Sequence, residues 1–185
     1  MEVKGVAIKS NIDFFREKYN SYYASFLEKL DDDVRVVYEG RVDIAQWYEI
    51  KNYYLKPMQI FADVAKVEDN IEFAKSIGIY SANVTLTGIY KIFIFMATPQ
   101  YVLKKASSMM KTFYKDAVGE IIESGANWCK LQISNFPDLN NMLEHRIAAF
   151  SQRALELASA KNVKYIIEFS ITKGNDKSVI FFHWE

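Results

Sequence analysis

The sequence predicts an α+β domain in which N-terminal helices pack on a C-terminal antiparallel sheet. Two pairs of short apolar segments, each joined by a turn sequence, predict two β-hairpins. One long amphipathic stripe joins the hairpins, and helix-like stripes dominate the chain before them. A chain of 185 residues has the size of one domain. We therefore expect a single domain over residues 1–185, with a helical part of about 1–115 and a sheet-forming part of about 116–185.

The first part of the chain predicts one short strand and two helices. Residues 3–9 have a strand-like composition, and Ser10, with Asp13 three residues later, resembles a helix start. The first helix pauses near Asn20. The second carries an apolar stripe at three-and-four spacing, formed by Tyr22, Tyr23, Phe26, Leu27 and Leu30. The acidic residues 31–33 end it and favour a solvated turn over a cation site, because the alternating ligands and Gly of a calcium loop are missing.

The middle of the chain begins with another predicted helix. Trp47 and Tyr48 precede it, and Pro57 suits a first turn better than a helix interior. Four residues then share an apolar face: Met58, Phe61, Ala62 and Ala65.

One segment of the middle has no definite assignment. Residues 72–82 look helical, whereas residues 88–97 are rich in β-forming side chains. Periodicity does not distinguish a strand from a helix in so short a run. Thr98 and Pro99 then form an N-cap and N1 pair that opens the next helix.

The C-terminal third has the clearest pattern. Residues 118–123 and 128–134 predict a hairpin with its turn at 124–126. A long helix follows and ends near Lys161, with an apolar stripe formed by Leu139, Leu143, Ile147, Phe150, Ala154 and Leu157. Strict alternation then predicts a strand through Tyr165, Ile167, Phe169 and Ile171, and residues 173–176 predict a turn.

The last strand is apolar on both faces. Ser178, Ile180, Phe182 and Trp184 fall on one face, and Val179, Phe181 and His183 fall on the other. Such a strand is typical of a central or covered position in a sheet. We therefore expect the C-terminal residues to be an integral part of the fold.

Composition and charge exclude several classes of function. The net charge is zero, so the electrostatic footprint of a nucleic-acid-binding protein is missing and no nucleic-acid partner is expected. The longest apolar run is too short for a membrane helix, so no membrane insertion is expected. A single cysteine and the lack of a signal peptide suggest a cytoplasmic protein.

No residue pattern points to catalysis or to a metal. The histidines, His145 and His183, are far apart in sequence; we expect His145 near the polar face of its helix and His183 at a strand end in water. Cys129 alternates with Leu131 and Ile133, which predicts a buried, unreactive thiol rather than a nucleophile or an acylation site. We therefore expect a protein that is not an enzyme, with no cofactor and no metal site.

The opening residues resemble the start of heme-nitric-oxide/oxygen-binding (H-NOX) domains, with a Lys-Gly strand, a Phe-rich helix and an aromatic second helix. The rest resembles heme-free relatives of that fold: the vinyl-reductase-type small-ligand domains and, closest in pattern, a myxobacterial paralogous family of unknown function. Shared features are an aromatic pair at Trp47 and Tyr48, the helix start at Thr98 and Pro99, and a final hairpin that in relatives reads Cys-x3-Gly-x3-Cys-x-aromatic-x-Val-x-Trp. Here the hairpin positions are Ser170, Gly174, Ser178, Ile180, Phe182 and Trp184. The same superfamily includes the TRAPP vesicle-tethering subunits.

The resemblance implies that residues 88–97 are helical and that a pocket lies between the helices and the sheet. This chain also departs from the H-NOX pattern. Met109, Met110 and Lys111 stand where the proximal histidine is needed, and residues 133–137 read Ile-Ser-Asn-Phe-Pro in place of the propionate-binding Tyr-x-Ser-x-Arg motif. Ser170 and Ser178 stand at the two cysteine positions of the hairpin motif, so the thiols that metal-binding members use are missing. The resemblance therefore implies a heme-free member.

Two functions are consistent with these observations. The first is a small-ligand-binding or sensory domain, whose ligand would be a small apolar or aromatic molecule. The residues expected to line its pocket are Tyr80, Tyr90, Phe93, Met109 and Phe113, although the same side chains would also fill an ordinary core. The alternative is a homodimeric interaction or scaffold module without a ligand, or one that binds a signalling partner protein.

Overall fold

The computed structural model describes residues 1–87 and 98–185. Its helices are Gly5–Lys18 (α1), Asn20–Leu27 (α2), Asp32–Val36 (α3), Lys56–Val64 (α4), Asn70–Thr87 (α5), Pro99–Phe113 (α6) and Asn141–Leu157 (α7). Its strands are Glu2–Lys4 (β1), Trp47–Glu49 (β2), Val118–Ser124 (β3), Trp128–Ser134 (β4), Lys164–Phe169 (β5) and Ser178–His183 (β6). The mixed helix and antiparallel-strand composition confirms the predicted α+β class. Residues 88–97, whose assignment the sequence left open, lie outside the described residues.

The prediction of a strand over residues 3–9 is wrong beyond Lys4. The strand β1 pairs with β2, and α1 begins at Gly5 rather than at Ser10. The amide of Gly5 donates to the carbonyl of Gln46, and a Cβ at Gly5 would lie 2.0 Å from the carbonyl oxygen of Asp43. The close approach of this loop therefore ends the strand, and a buried helical stripe at Ala7, Ile8, Ile12 and Phe15 overrides the short alternation.

The predicted pause near Asn20 is confirmed as a break at Tyr19 between α1 and α2. The acidic residues 31–33 are exposed, but they open α3 instead of simply ending α2. Asp31 pairs with Lys56 at 2.7 Å, and Asp33 accepts a hydrogen bond from the hydroxyl of Tyr53 at 2.6 Å. These carboxylates therefore have protein partners.

The N-terminal core is built from aromatic rings. Phe15 stacks on Phe61 with ring centroids 3.7 Å apart, and Phe26 meets Phe61 edge-to-face at 5.0 Å. The predicted face of α4 is buried, from Met58 through Phe61 to Ala65. Such rings contribute both buried apolar area and orientation-dependent contacts.

The four-stranded sheet has the order β3-β4-β6-β5, with antiparallel neighbours throughout. The last strand is central, as its sequence predicts, and Ile180, Phe182 and Trp184 are all buried. The neighbouring strand is shorter than predicted: β5 ends at Phe169, and Ile171 lies in a 3₁₀ turn. The hydroxyl of Ser170 accepts the amide of Thr172, which turns the chain and stops the alternation.

Two helices connect the sheet to the N-terminal part. The helix α6 packs against β3, and α7 packs along α5. The predicted N-cap of α6 is confirmed, since the Thr98 hydroxyl accepts the amide of Tyr101. None of the helices in the described residues is both long and apolar enough to cross a membrane.

Candidate ligand-binding cavity

A cavity of about 80 Å³ lies between the helices and the sheet. Side chains of α1, α5, α6 and α7 form its helical walls, strands β3, β4 and β6 form the opposite wall, and Tyr54 and Tyr114 complete the lining. Most of the lining is apolar and includes Met109, Met110, Phe113, Ile121, Leu131 and Phe182. An enclosed apolar space with a few polar groups is the usual form of a small-molecule site.

The polar part of the lining is centred on Arg146, which is only 4% exposed. Its Nη1 donates to Oδ1 of Asn11 at 2.6 Å, and its Nη2 donates to Oγ of Ser81 at 3.1 Å. The guanidinium carbon lies 4.8 Å from the ring centroid of Tyr54. Ser81 also shares a hydrogen bond with Ser10, with the two Oγ atoms 2.8 Å apart. Five polar residues from four segments of the chain therefore meet at one end of the cavity.

The charge of Arg146 has no carboxylate partner. All 23 Asp and Glu residues belong to the described residues, and none has an oxygen within 4 Å of this guanidinium. An arginine does not lose its proton at any ordinary pH, so the positive charge cannot be relieved by neutralisation. Burying an ion costs several kcal/mol, which partial hydrogen bonding and a ring face offset incompletely.

The position of Arg146 depends on a close approach of α5 and α7. A Cβ on Gly78 would lie 2.4 Å from the carbonyl oxygen of Arg146 and 3.2 Å from Cβ of Ala149. Only glycine therefore lets the two helices touch at this point. Ser81 lies one turn further along α5, and this contact brings its hydroxyl to the guanidinium.

Tyr54 and Tyr114 lie at the same end of the cavity, with their hydroxyl oxygens 3.4 Å apart. Burial raises the pKa of both phenols, and the nearby Arg146 cation opposes this increase only in part. Both phenols are therefore neutral at physiological pH, and neither supplies the missing negative charge.

The thiol of Cys129 faces the same cavity from β4. It is fully buried, as its alternation with Leu131 and Ile133 predicts. Burial raises the pKa of this thiol to about 12, so the nucleophilic thiolate is scarce at neutral pH. Cys129 is thus a packing residue of the cavity wall.

The five residues predicted to line a pocket have different locations. Met109 and Phe113 lie on the cavity wall. Tyr80 lies elsewhere, because its ring packs edge-to-face on Phe14 and its hydroxyl donates to Glu17. Tyr90 and Phe93 lie outside the described residues.

Sequence reasoning did not single out Arg146, although a signal was present. Arg146 follows Leu143 by three residues and precedes Phe150 by four, which places a charge on the apolar stripe of α7. A charged residue on such a stripe must either find a partner or cost stability. Asn11 is likewise buried, on the inner side of α1, and its Nδ2 atom has no hydrogen-bond partner among the described residues.

Neither histidine faces the cavity. His145, predicted near the polar face, is half-buried on the other side of α7, with Nδ1 3.0 Å from the hydroxyl of Tyr165. His183 is exposed at the end of β6, as predicted, and its ring stacks on Phe181. No group of histidine, cysteine, aspartate or glutamate in the described part of the chain has the arrangement of a metal site. The fit to a histidine-ligated heme in this cavity is therefore poor.

A second, open groove of about 550 Å³ runs between α7 and β5. It is lined by charged and polar side chains, among them His145, Lys75 and Lys173. The carboxylate of Glu144 lies beneath it, 1% exposed, and accepts hydrogen bonds from the hydroxyls of Ser170 and Ser178. The hydrogen bonds of these two serines with Glu144 therefore connect the last hairpin to α7. We consider the cavity the better candidate for a ligand because its lining is more apolar, despite the larger volume of the groove.

The same arrangement of elements occurs in solved H-NOX structures. No family model and no curated protein matches this sequence. An Fe(II) unliganded H-NOX protein from K. algicida has a TM-score of 0.74 at 12% identity, over 98% of this chain and 96% of that one. An H-NOX protein from S. oneidensis in the Fe(II)NO state has a TM-score of 0.74 at 12% identity, over 98% and 99% of the two chains. The fold is H-NOX-like. Identity this low shows the fold alone, and function has to be argued from the site.

Proposed function

We propose that this chain is a non-catalytic domain that binds a small ligand, without heme, and acts as a sensor. The carrying observation is the partly enclosed, mostly apolar cavity between the helices and the sheet. The structural neighbours support a ligand-binding role, since they are H-NOX proteins in the Fe(II) unliganded and Fe(II)NO states. We also propose that residues 1–185 form one domain and that Met109 and Phe113 contact the ligand.

The volume of the cavity limits the ligand. A dry apolar cavity of about 150 Å³ accommodates benzene, so about 80 Å³ suits a molecule of a few heavy atoms without rearrangement of its walls. Sites for drug-sized ligands are several times larger, at about 300–1,000 Å³. The proposal is therefore for a very small molecule with an apolar part.

The heme-free part of the proposal rests on the side chains at the cavity. Heme would supply a redox-active iron that binds diatomic gases, and it needs an axial ligand. The helix α6 carries Met109 and Met110 on the cavity side, and both histidines of the chain lie elsewhere. The one thiol on the wall is protonated at neutral pH.

Binding of a small apolar probe tests the central proposal. Xenon, which is smaller than benzene, should give saturable changes in amide NMR shifts around the cavity when the full chain is pressurised with it. Val102→Phe adds atoms to the cavity wall and should weaken binding at least tenfold. Thr112→Phe introduces the same side chain on the exposed side of the same helix and should leave binding unchanged. Failure of the wild-type chain to bind xenon would disprove a preformed apolar site.

Hemin titration tests the heme-free part. We expect no stoichiometric Soret band characteristic of an axially ligated heme. A stoichiometric band that disappears in His145→Ala, His183→Ala or Cys129→Ala would contradict the proposal and would identify the ligand.

The remaining assignments are also proposals. The absence of catalysis, a cytoplasmic location and a signalling partner protein are expected from the sequence, as is the alternative of a homodimeric scaffold. Native mass spectrometry of freshly purified protein addresses ligand and subunit number together. A co-purified small molecule on a monomer would support the binding domain, and a ligand-free dimer would support the scaffold.

A further inference from the structure

We propose that the ligand of this cavity is a short-chain organic carboxylate, with its anionic group on Arg146 and its carbon chain among the apolar side chains. This inference rests on the proposed function, because it assumes that the cavity binds a ligand. It adds the chemical class of that ligand and the residue that selects it.

The first argument is charge. Arg146 is buried and permanently cationic, and none of the acidic residues, all of which are described, reaches it. Removing one partner of a buried ion pair normally destabilises a protein strongly, so an arginine in this state is expected only where something compensates it. A carboxylate from outside the chain supplies the missing charge.

The second argument is unused hydrogen-bonding capacity. A guanidinium carries five N–H groups, and the described residues accept only two hydrogen bonds from it, through Asn11 and Ser81. The remaining donors suit a carboxylate, which accepts paired N–H groups in one plane. The hydroxyls of Ser10 and Ser81 also line the cavity. One of them donates to the other, which leaves one hydroxyl hydrogen of the pair for an anion.

The third argument is the shape of the surroundings. The ring of Tyr54 lies against the guanidinium and fixes its plane. Beyond the polar end, the wall consists of aliphatic, aromatic and thioether groups such as Phe113, Leu131 and Phe182. A single cation in an apolar cavity of about 80 Å³ favours one negative charge and a tail of a few carbons. A multiply charged phosphate would lose more hydration than one guanidinium restores.

The test compares butyrate with butyramide, which has nearly the same shape but no charge. Titrated into the full wild-type chain at pH 7 and followed by calorimetry and amide NMR shifts, butyrate should bind at least tenfold more tightly, which corresponds to about 1.4 kcal/mol. Arg146→Met should remove this preference, and Arg146→Lys should retain part of it.

Arg153→Met is the matched control. It makes the same change on the same helix, but Arg153 lies outside the cavity lining and is paired with Glu156 at 2.9 Å. Butyrate binding should remain at the wild-type value in this variant. The comparison of butyrate with butyramide needs no variant, so it decides the question even if Arg146→Met fails to fold.

The possible outcomes separate this inference from the proposed function. Equal affinity for butyrate and butyramide, with xenon still bound, would overturn the anion assignment and leave the apolar site in place. Butyrate binding that survives Arg146→Met unchanged would also overturn it. Failure of butyrate, butyramide and xenon alike would disprove the ligand site itself, and the inference with it.

Discussion

Two buried ionisable residues on α7 have opposite surroundings. Glu144 and Arg146 are two positions apart, which places them about 200° apart around a helix. Neither has an ion-pair partner within 4 Å among the described residues. Glu144 accepts hydrogen bonds from two serine hydroxyls of the last hairpin. Arg146 instead faces a cavity, with only Asn11 and Ser81 as acceptors. We infer that the Glu144 side of α7 stabilises the fold, whereas the Arg146 side retains N–H donors that are available to a ligand.

The largest expected effect comes from deleting the last strand, which supplies part of the surroundings of Glu144. Deleting residues 178–185 removes the central strand and one of the two serines that contact Glu144. Ile180 and Phe182 alone contribute about 1.5–3 kcal/mol each by burial, which is a large part of a net stability of about 5–15 kcal/mol. We expect no cooperative thermal transition by circular dichroism.

Milder changes at the same strand should give graded effects. Trp184→Ala should cost about 3–5 kcal/mol, because Trp184 is 7% exposed. His183→Gln should change little, since His183 is exposed. A truncated chain that melts cooperatively would show that β6 is not integral to the fold.

The second prediction compares the two residues directly by the same substitution. Glu144→Met leaves the buried hydroxyls of Ser170 and Ser178 without their acceptor, and should lower the free energy of unfolding by about 1–3 kcal/mol. Arg146→Met removes an uncompensated buried charge but leaves Oδ1 of the buried Asn11 without its donor. These two effects oppose each other, so stability should change by less than about 1 kcal/mol or increase. Urea denaturation of both variants measures the difference.

The opposite order of the two stability losses would contradict the assignment of Glu144 to the fold and of Arg146 to ligand binding. If Arg146→Met were the more destabilising change, the guanidinium would be a structural element and its hydrogen bonds with Asn11 and Ser81 would be sufficient. Functional residues commonly cost stability in the free protein, so a stabilised Arg146→Met variant that has lost butyrate binding is the expected combination.

The last strand and the apolar wall of the cavity were largely predictable from sequence, and the polar cluster around Arg146 was not. Period-two alternation is local, so it identified the central last strand and the buried Cys129. The start of α1 at Gly5 was missed because it depends on a loop carbonyl 38 residues away, that of Asp43. Local periodicity carries no information on such a contact.

The candidate site shows the same limit. Met109 and Phe113 lie on the cavity wall because their helical stripe faces inward. Tyr80 was an equally plausible aromatic residue in sequence, but the rotation of α5 turns it towards Phe14. The cluster of Asn11, Ser81 and Arg146 joins residues that are 65 and 135 positions apart along the chain. Only the packing of α1, α5 and α7 brings them together.

The third prediction concerns the cavity wall. Cys129→Ser or Cys129→Ala should cost about 1–2 kcal/mol, as expected for a small change in a packed site. Because burial raises the pKa of the thiol to about 12, Ellman's reagent should react with the native protein far more slowly than with the unfolded chain. Butyrate binding should be retained in the alanine variant. Rapid labelling of the native thiol would show that this wall is open to solvent.

The smallest expected effect is a pH dependence of stability caused by His145, which lines the groove between α7 and β5 together with Glu144. Burial lowers the pKa of His145 below 6.5, with Lys75 and Lys173 acting in the same direction and Glu144 and Glu72 opposing them. The unfolded chain therefore binds the proton more readily, so stability is complete above about pH 6.5 and is lost as the pH falls through the lower folded-state pKa. Protonation also removes the ability of Nδ1 to accept the hydroxyl of Tyr165.

His145→Gln should flatten the dependence of the unfolding midpoint on pH between about pH 7 and 5. The matched control, His183→Gln, removes the other histidine of the chain and should keep the wild-type slope. Butyrate affinity should not follow the same titration, since His145 lies on the opposite side of α7 from the cavity. A butyrate affinity that titrates in this range and becomes pH-independent in His145→Gln would instead mean that the two sides of the helix are coupled, and that the division between Glu144 and Arg146 is not complete.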